Sequence, residues 1–157
     1  MTEGPYLGFP WPGSLVDGDL TLELAQCVPG ESPRGRVPML VFRMRRVSDG
    51  ATMGRVDLRL SLTPALSEYG GHVAYRVEPE FQGHRYAARS VGLLKPLARA
   101  YGMDCLWITC APDNAASRQT CLLAGGELVD IVPLPTWATG AEPGRRETCR
   151  YRVPLID

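Results

Sequence analysis

Apolar positions alternate through the first half of this 157-residue chain and acquire helical spacing only in the second. Leu20, Leu22 and Leu24 alternate with Thr21 and Glu23, the period-two pattern of a strand with one buried face. Leu40 to Arg46 and Met53 to Leu60 flank Asp49-Gly50, a hairpin signal. In the second of these runs Val56, Leu58 and Leu60 alternate with Arg55, Asp57 and Arg59, which gives an apolar face and a charged face; the charged one is either solvated surface or a site for an acidic ligand. A further strand, His72 to Val77, stops at Pro79. Helical spacing then begins near Ala87, with Val91, Leu94, Ala98 and Tyr101 on one face. Pro96 predicts a kink in that helix, and Gly102 its left-handed end. Cys105 to Cys110 is the next strand, and a helix runs from Pro112-Asp113-Asn114 to Ala124, stopped by Gly125-Gly126. Leu128 to Val132 and an alternation of Cys149, Tyr151 and Val153 with Thr148, Arg150 and Arg152 complete the pattern. This order predicts a mixed α/β sheet with helices on its faces.

A chain of this length forms one core and buries about 70% of the surface it exposes when unfolded. The expected organisation is a single domain over residues 20–157, preceded by an arm, residues 1–19, rich in Pro and Gly and carrying Tyr6, Phe9 and Trp11. Those aromatics either pack back on the domain or form a homodimer contact or a wall of a substrate site. Seventeen basic and seventeen acidic side chains cancel, so no overall field attracts nucleic acid or an acidic membrane. Lys95 is the only lysine, an arginine bias that fits GC-rich coding. The N-terminus has no basic region followed by an apolar run, and no stretch approaches the ~20 apolar residues that span a bilayer, so a cytoplasmic protein is expected. Five cysteines without CxxC spacing indicate neither a disulfide framework nor a zinc site.

The most informative segment joins the strand ending at Val77 to the helix beginning near Ala87 through Gln82-Gly83-His84-Arg85-Tyr86. The first N–H groups of a helix have no intrahelical partner and carry the positive end of its dipole, so this junction suits a pyrophosphate. His84 and Arg85 add side-chain donors.

At these residues the chain resembles the GCN5-related N-acetyltransferases, whose acyl-CoA loop reads Q/R-x-x-G-x-G/A. Gln82 and Ala87 fill its ends, and Arg85 stands at its first glycine. The family's N-x-x-A/S followed by a helix and a glycine is matched by Asn114, Ser117 and Gly125, and Ala116-Ser117-Arg118 is similar to the branch that acetylates ribosomal-protein N-termini. The resemblance covers roughly the last two-thirds of the chain. It implies the acyl-CoA N-acyltransferase fold: a mixed, mostly antiparallel twisted sheet whose central parallel strands, His72 to Val77 and Cys105 to Cys110, splay to admit the pantetheine arm. It implies acetyl-CoA, or another acyl-CoA, as cosubstrate without a metal, and an amine acceptor, either a protein or peptide N-terminus or a small-molecule amine. The family's two acceptor-wall helices have no counterpart between Gln26 and Pro38, where Pro29, Gly30, Pro33, Gly35 and Pro38 cannot sustain them.

The implied cosubstrate contacts are Gln82, Gly83, His84, Arg85, Tyr86 and Ala87 at the phosphates, Asn114 at the pantetheine, Ser117 and Arg118 nearer the nucleotide, and a backbone N–H of the strand bearing Val77 at the acyl oxygen. His72 occupies the place of the family's general base, with Glu78 and Glu80 behind it. Cys121 falls where relatives carry a tyrosine that protonates the CoA sulfur; it is a proton donor, a nucleophile or a packing residue. Trp137 flanks the acceptor, and Arg145 or Arg146 pairs with an acceptor carboxylate. A non-catalytic acyl-CoA-binding module is the alternative, suggested by Arg85 and Cys121 at their two positions.

Overall fold

The computed structural model describes residues 15–30, 37–61, 69–135 and 146–155. Its first sheet has five antiparallel strands in sequence order: β1 (Val16–Asp17), β2 (Leu20–Val28), β3 (Met39–Arg46), β4 (Thr52–Arg59) and β5 (Val73–Val77). Strands adjacent in the sheet are consecutive in sequence. Leu20, Leu22, Leu40, Phe42, Met44, Val56, Leu58 and Val73 form its buried face. Gly50, with φ 73°, closes the β3–β4 hairpin in the left-handed region that its turn needs.

Helix α1 (Tyr86–Ala100) covers that face with Val91, Leu94, Leu97 and Ala98. It continues through Pro96 and ends at Gly102, φ 89°. The arm's last residues, Leu15 to Asp19, belong to the sheet: Arg89 of α1 binds the Asp17 and Asp19 carboxylates at 2.8 Å each, and Tyr86 donates its hydroxyl to Asp19. This clip fixes where α1 begins. Tyr6, Phe9, Trp11, Trp137 and Arg145 lie outside the described residues.

A second sheet, in the order β6-β8-β7, contains β6 (Cys105–Cys110), β7 (Glu127–Pro133) and β8 (Glu147–Pro154), with α2 (Ala115–Leu123) between β6 and β7. Tyr151 and Val153 carry its inner face into the same apolar core. No ladder joins β5 to β6. The sheets meet where β5 starts: His72 N–H donates to the Trp107 carbonyl at 2.7 Å, and Trp107 N–H donates to His72 Nδ1 at 2.9 Å. Gly71 adjoins this seam, where a Cβ would come within 2.5 Å of the Trp107 oxygen. Beyond it the strands part. Residues 31–36, within the segment where no acceptor-wall helices are expected, lie outside the described residues. None of the five cysteines is in a disulfide.

Candidate active site

The gap between β5 and α2 opens into a cleft of about 610 Å³ that reaches the start of α1. At one end stand Gln82, Gly83, Arg85, Tyr86 and Ala87. Arg85 is the residue before α1 and offers it no side-chain cap, so the first N–H groups of the helix face the cleft without a protein partner. Arg85 itself has φ 61° and ψ 26°, the one left-handed residue among the described non-glycines. That conformation explains why a glycine suits this position, and holding it costs an L-residue about 1 kcal/mol. Arg85→Gly is expected to weaken acetyl-CoA binding about tenfold, the value of one charge-assisted phosphate contact. The same change should leave thermal stability equal or slightly higher, since relieved strain and glycine's extra unfolded freedom oppose each other. Titration calorimetry beside a melting curve reads both.

Gln82 folds back, its Nε2 donating to the Val77 carbonyl at 3.1 Å. A strand residue sends its N–H and C=O to the same edge, so the Val77 N–H also faces the gap rather than β4. Asn114 caps α2 by accepting from Ser117 N–H at 3.0 Å; it borders the cleft, and its amide NH₂ remains to donate.

Tyr75 was not anticipated. It shares its side of β5 with Val73 and Val77, borders the cleft, and brings its hydroxyl to 2.7 Å from Ser117 Oγ and 3.8 Å from Cys121 Sγ. Burial first, then the Cys121 thiol, holds its phenol above the ordinary tyrosine value, so it stays protonated at neutral pH and is a weaker acid than a solvated tyrosine. The available signal was parity: an aromatic residue two positions before the strand's end, on its inward side.

The other candidate residues stand in surroundings of several kinds. His72 is 8% exposed and does not border the cleft. Its Nδ1 already accepts the Trp107 N–H, which leaves the proton on Nε2 and no free lone pair to act as a base. Burial, with the Arg59 guanidinium nearby, lowers its pKa to about 4. Cys121 is fully buried, and hydrogen bonding to Cys110 together with burial pushes its thiol pKa up. Arg118 is not part of the cleft lining; its Nε donates to Tyr151 Oη at 3.0 Å and its NH1 to the Pro112 carbonyl at 3.1 Å. The Tyr86 hydroxyl is held by Asp19, so this residue offers the cleft its backbone. His84 is exposed and lies against the Tyr86 ring, 5.5 Å between centroids, outside the cleft lining. Glu78 and Glu80 are exposed and also stand outside it.

In fold the chain is similar to solved acetyltransferases, among them one of the GCN5-related family from Bacillus anthracis. A proposed ribosomal-protein-serine acetyltransferase of Vibrio cholerae superposes with a TM-score of 0.64 over 91% of this chain and 98% of its own, at 13% identity. The microcin C7 self-immunity acetyltransferase, solved with acetyl-CoA and AMP, gives 0.57 at 18% identity, covering 74% of this chain. The chain spans 61% of that enzyme's length. Spermidine N-acetyltransferase of Vibrio cholerae, solved with CoA and spermine, gives 0.57 at 11% identity over 74% of this chain and 66% of its own. No family model and no curated protein sequence matches the chain. Among the described residues no helix is long and apolar enough to cross a membrane.

Proposed function

We propose that this protein is an acyl-CoA-dependent N-acyltransferase that passes an acetyl or other short acyl group to an amine by direct attack. The observation that carries this reading is the cleft itself, with an uncapped helix start and Arg85 at one end and the Tyr75 hydroxyl at the other. The pyrophosphate of CoA fits the N–H groups from Gly83 to Ala87, where backbone donors and helix dipole act together. The Asn114 amide is placed for the pantetheine, and the Val77 N–H for the thioester oxygen, on which charge develops as the amine attacks. When the C–S bond breaks, the phenol of Tyr75 protonates the departing thiolate and recovers its proton through Ser117 and solvent.

Amine deprotonation is then left to water, because no carboxylate or imidazole of the described residues borders the cleft. Proton loss to water favours amines that are already partly neutral. At neutral pH that means α-amino groups, with pKa near ~7.8, over lysine side chains near ~10.4. A peptide with a free N-terminus is expected to exceed one whose sole amine is a lysine side chain on the order of a hundredfold in kcat/KM, and its rate should rise with pH until the α-amine is neutral. A pH–rate comparison of the two peptides measures this.

Acetyl-CoA at ten times its Kd should stabilise the fold by about 1.4 kcal/mol, visible in a melting curve. Amine-dependent release of CoA thiol, followed with a thiol reagent across a panel of peptides and small amines, separates a transferase from a non-catalytic binding module. Binding without turnover across the panel favours the module; no binding by the folded protein removes both.

A further inference from the structure

The face of the five-stranded sheet turned away from α1 carries a row of arginines. Glu23, Arg43, Arg55 and Arg76 stand directly opposite one another across β2, β3, β4 and β5. Neighbouring strands lie ~4.8 Å apart, so the three arginines are confined to about 10 Å, and like charges in opposed positions destabilise a sheet. Carboxylates only partly offset them. Glu23 is shared between Arg43 at 3.3 Å and Arg45 at 3.2 Å, and Asp57 holds Arg55 at 2.8 Å. Arg59, on the same face, is turned to the carbonyls of Gly70 and Gly71. Among the described residues Arg76 forms no ion pair. The Arg43 and Arg55 side chains are 48% and 59% exposed, so neither is held by the core. In a chain with no net charge, this is a local excess of positive charge that the fold does not require.

The row also has a direction. It ends at Arg76, which borders the cleft between Tyr75 and Val77, where acyl transfer is assigned. The phosphate end of the cosubstrate takes the α1 side of the cleft, leaving the opposite side of β5 for the acceptor. Neither α1 nor α2 lies on that side, and the short β2–β3 connection supplies no helix there among the described residues.

We propose that this face docks an acidic acceptor segment: a polypeptide whose free N-terminal amine is followed within a few residues by Asp or Glu side chains. Those carboxylates lie along Arg76, Arg55 and Arg43 while the amine enters the cleft. Three extended residues span about 10 Å, the length of the row. This inference rests on the transferase reading, and it supplies the acceptor class that reading leaves open.

Binding tests it independently of turnover. Three peptides share one free N-terminal residue and carry a C-terminal fluorophore, followed after the first residue by an acidic, a neutral or a basic tract; their affinities are read by anisotropy at low and high salt. The acidic peptide is expected to bind at least about tenfold more tightly than the other two, with the advantage shrinking as salt screens it. Arg43→Gln with Arg55→Gln should abolish the preference, and Arg43→Glu with Arg55→Glu should invert it, both with acetyl-CoA stabilisation intact as the check on folding. Equal affinity for the three peptides, or an acidic preference that survives both double variants, overturns the proposal while leaving the transferase reading in place. Displacement of the acidic peptide by free glutamate or phosphate at the same concentration as by unlabelled peptide also overturns it, in favour of a small-anion site. Loss of the transferase reading registers separately, as absent amine-dependent thiol release.

Discussion

Tyr75→Phe is expected to slow acyl transfer by about a hundredfold or more while acetyl-CoA binds with nearly unchanged affinity. The substitution keeps the ring that packs between β5 and α2 and removes only the hydroxyl that faces Ser117 and Cys121. Losing a positioned general acid costs 10²–10⁴ in rate, and an effect on kcat without one on binding marks a contact made in the transition state. Ser117→Ala should cost less, since it removes the relay partner and leaves the phenol. Cys121→Ala, by contrast, is a change of packing and should appear as lost stability with the chemistry preserved. A relay through Cys121 predicts the reverse order. Stopped-flow thiol release with each variant, at saturating amine and acetyl-CoA, decides between them.

The second large effect belongs to His72 and concerns folding. With a pKa of about 4 when folded, against ~6.5 when unfolded, the imidazole is held neutral by the fold. A depressed folded pKa contributes stability that is complete above the unfolded value. That stability is lost as pH falls from about 6.5 towards about 4, because the unfolded chain takes up the proton first. The difference corresponds to about 3 kcal/mol. His72→Ala leaves the Trp107 N–H without its acceptor and should destabilise by about 1–3 kcal/mol at neutral pH. His72→Asn offers a carbonyl oxygen near the place of Nδ1 and does not titrate. It should retain more stability than the alanine variant and show a flatter profile between pH 6.5 and 4. Urea melts across that range measure both, and a wild-type profile without this slope would contradict the assignment.

The part of the fold legible from residues alone was the part governed by local rules. Alternation located the strands because one side of each sheet is buried and the period is two. Asp49-Gly50 marked its hairpin, and Gly102 and Gly125 marked helix ends because their backbones, φ 89° and 92°, lie where side chains are disfavoured. Asn114 was legible as a cap, and the loop from Gln82 to Ala87 as the approach to a helix start, which borders a cleft. What escaped depends on register and on contacts distant in sequence. Tyr75 becomes a site residue only once α2, some forty residues later, brings Ser117 beside it. His72 occupies the position expected of a base, but a backbone N–H of β6 claims its lone pair, and sequence carries no mark of that pairing. Arg118 fits the motif yet is drawn inward by Tyr151. The arginine row exists only when three strands are aligned: in sequence Arg55 belongs to a charged face open to an acidic ligand, but nothing there joins it to Arg43 and Arg76.

The separation of the two ladders beyond His72 and Trp107 also bears on how the molecule opens. Each sheet keeps its own backbone hydrogen bonds, and past the seam the two are united by side-chain packing alone. Such a protein has a natural line along which to loosen: amides of β6, β7 and β8 can exchange with solvent in one cooperative event while β2 to β4 stay protected. A cosubstrate lodged in the gap touches both partners and couples their openings. Its presence would register as equalised protection on the two sides, so that the ligand completes the cooperativity of the domain as well as taking part in its chemistry.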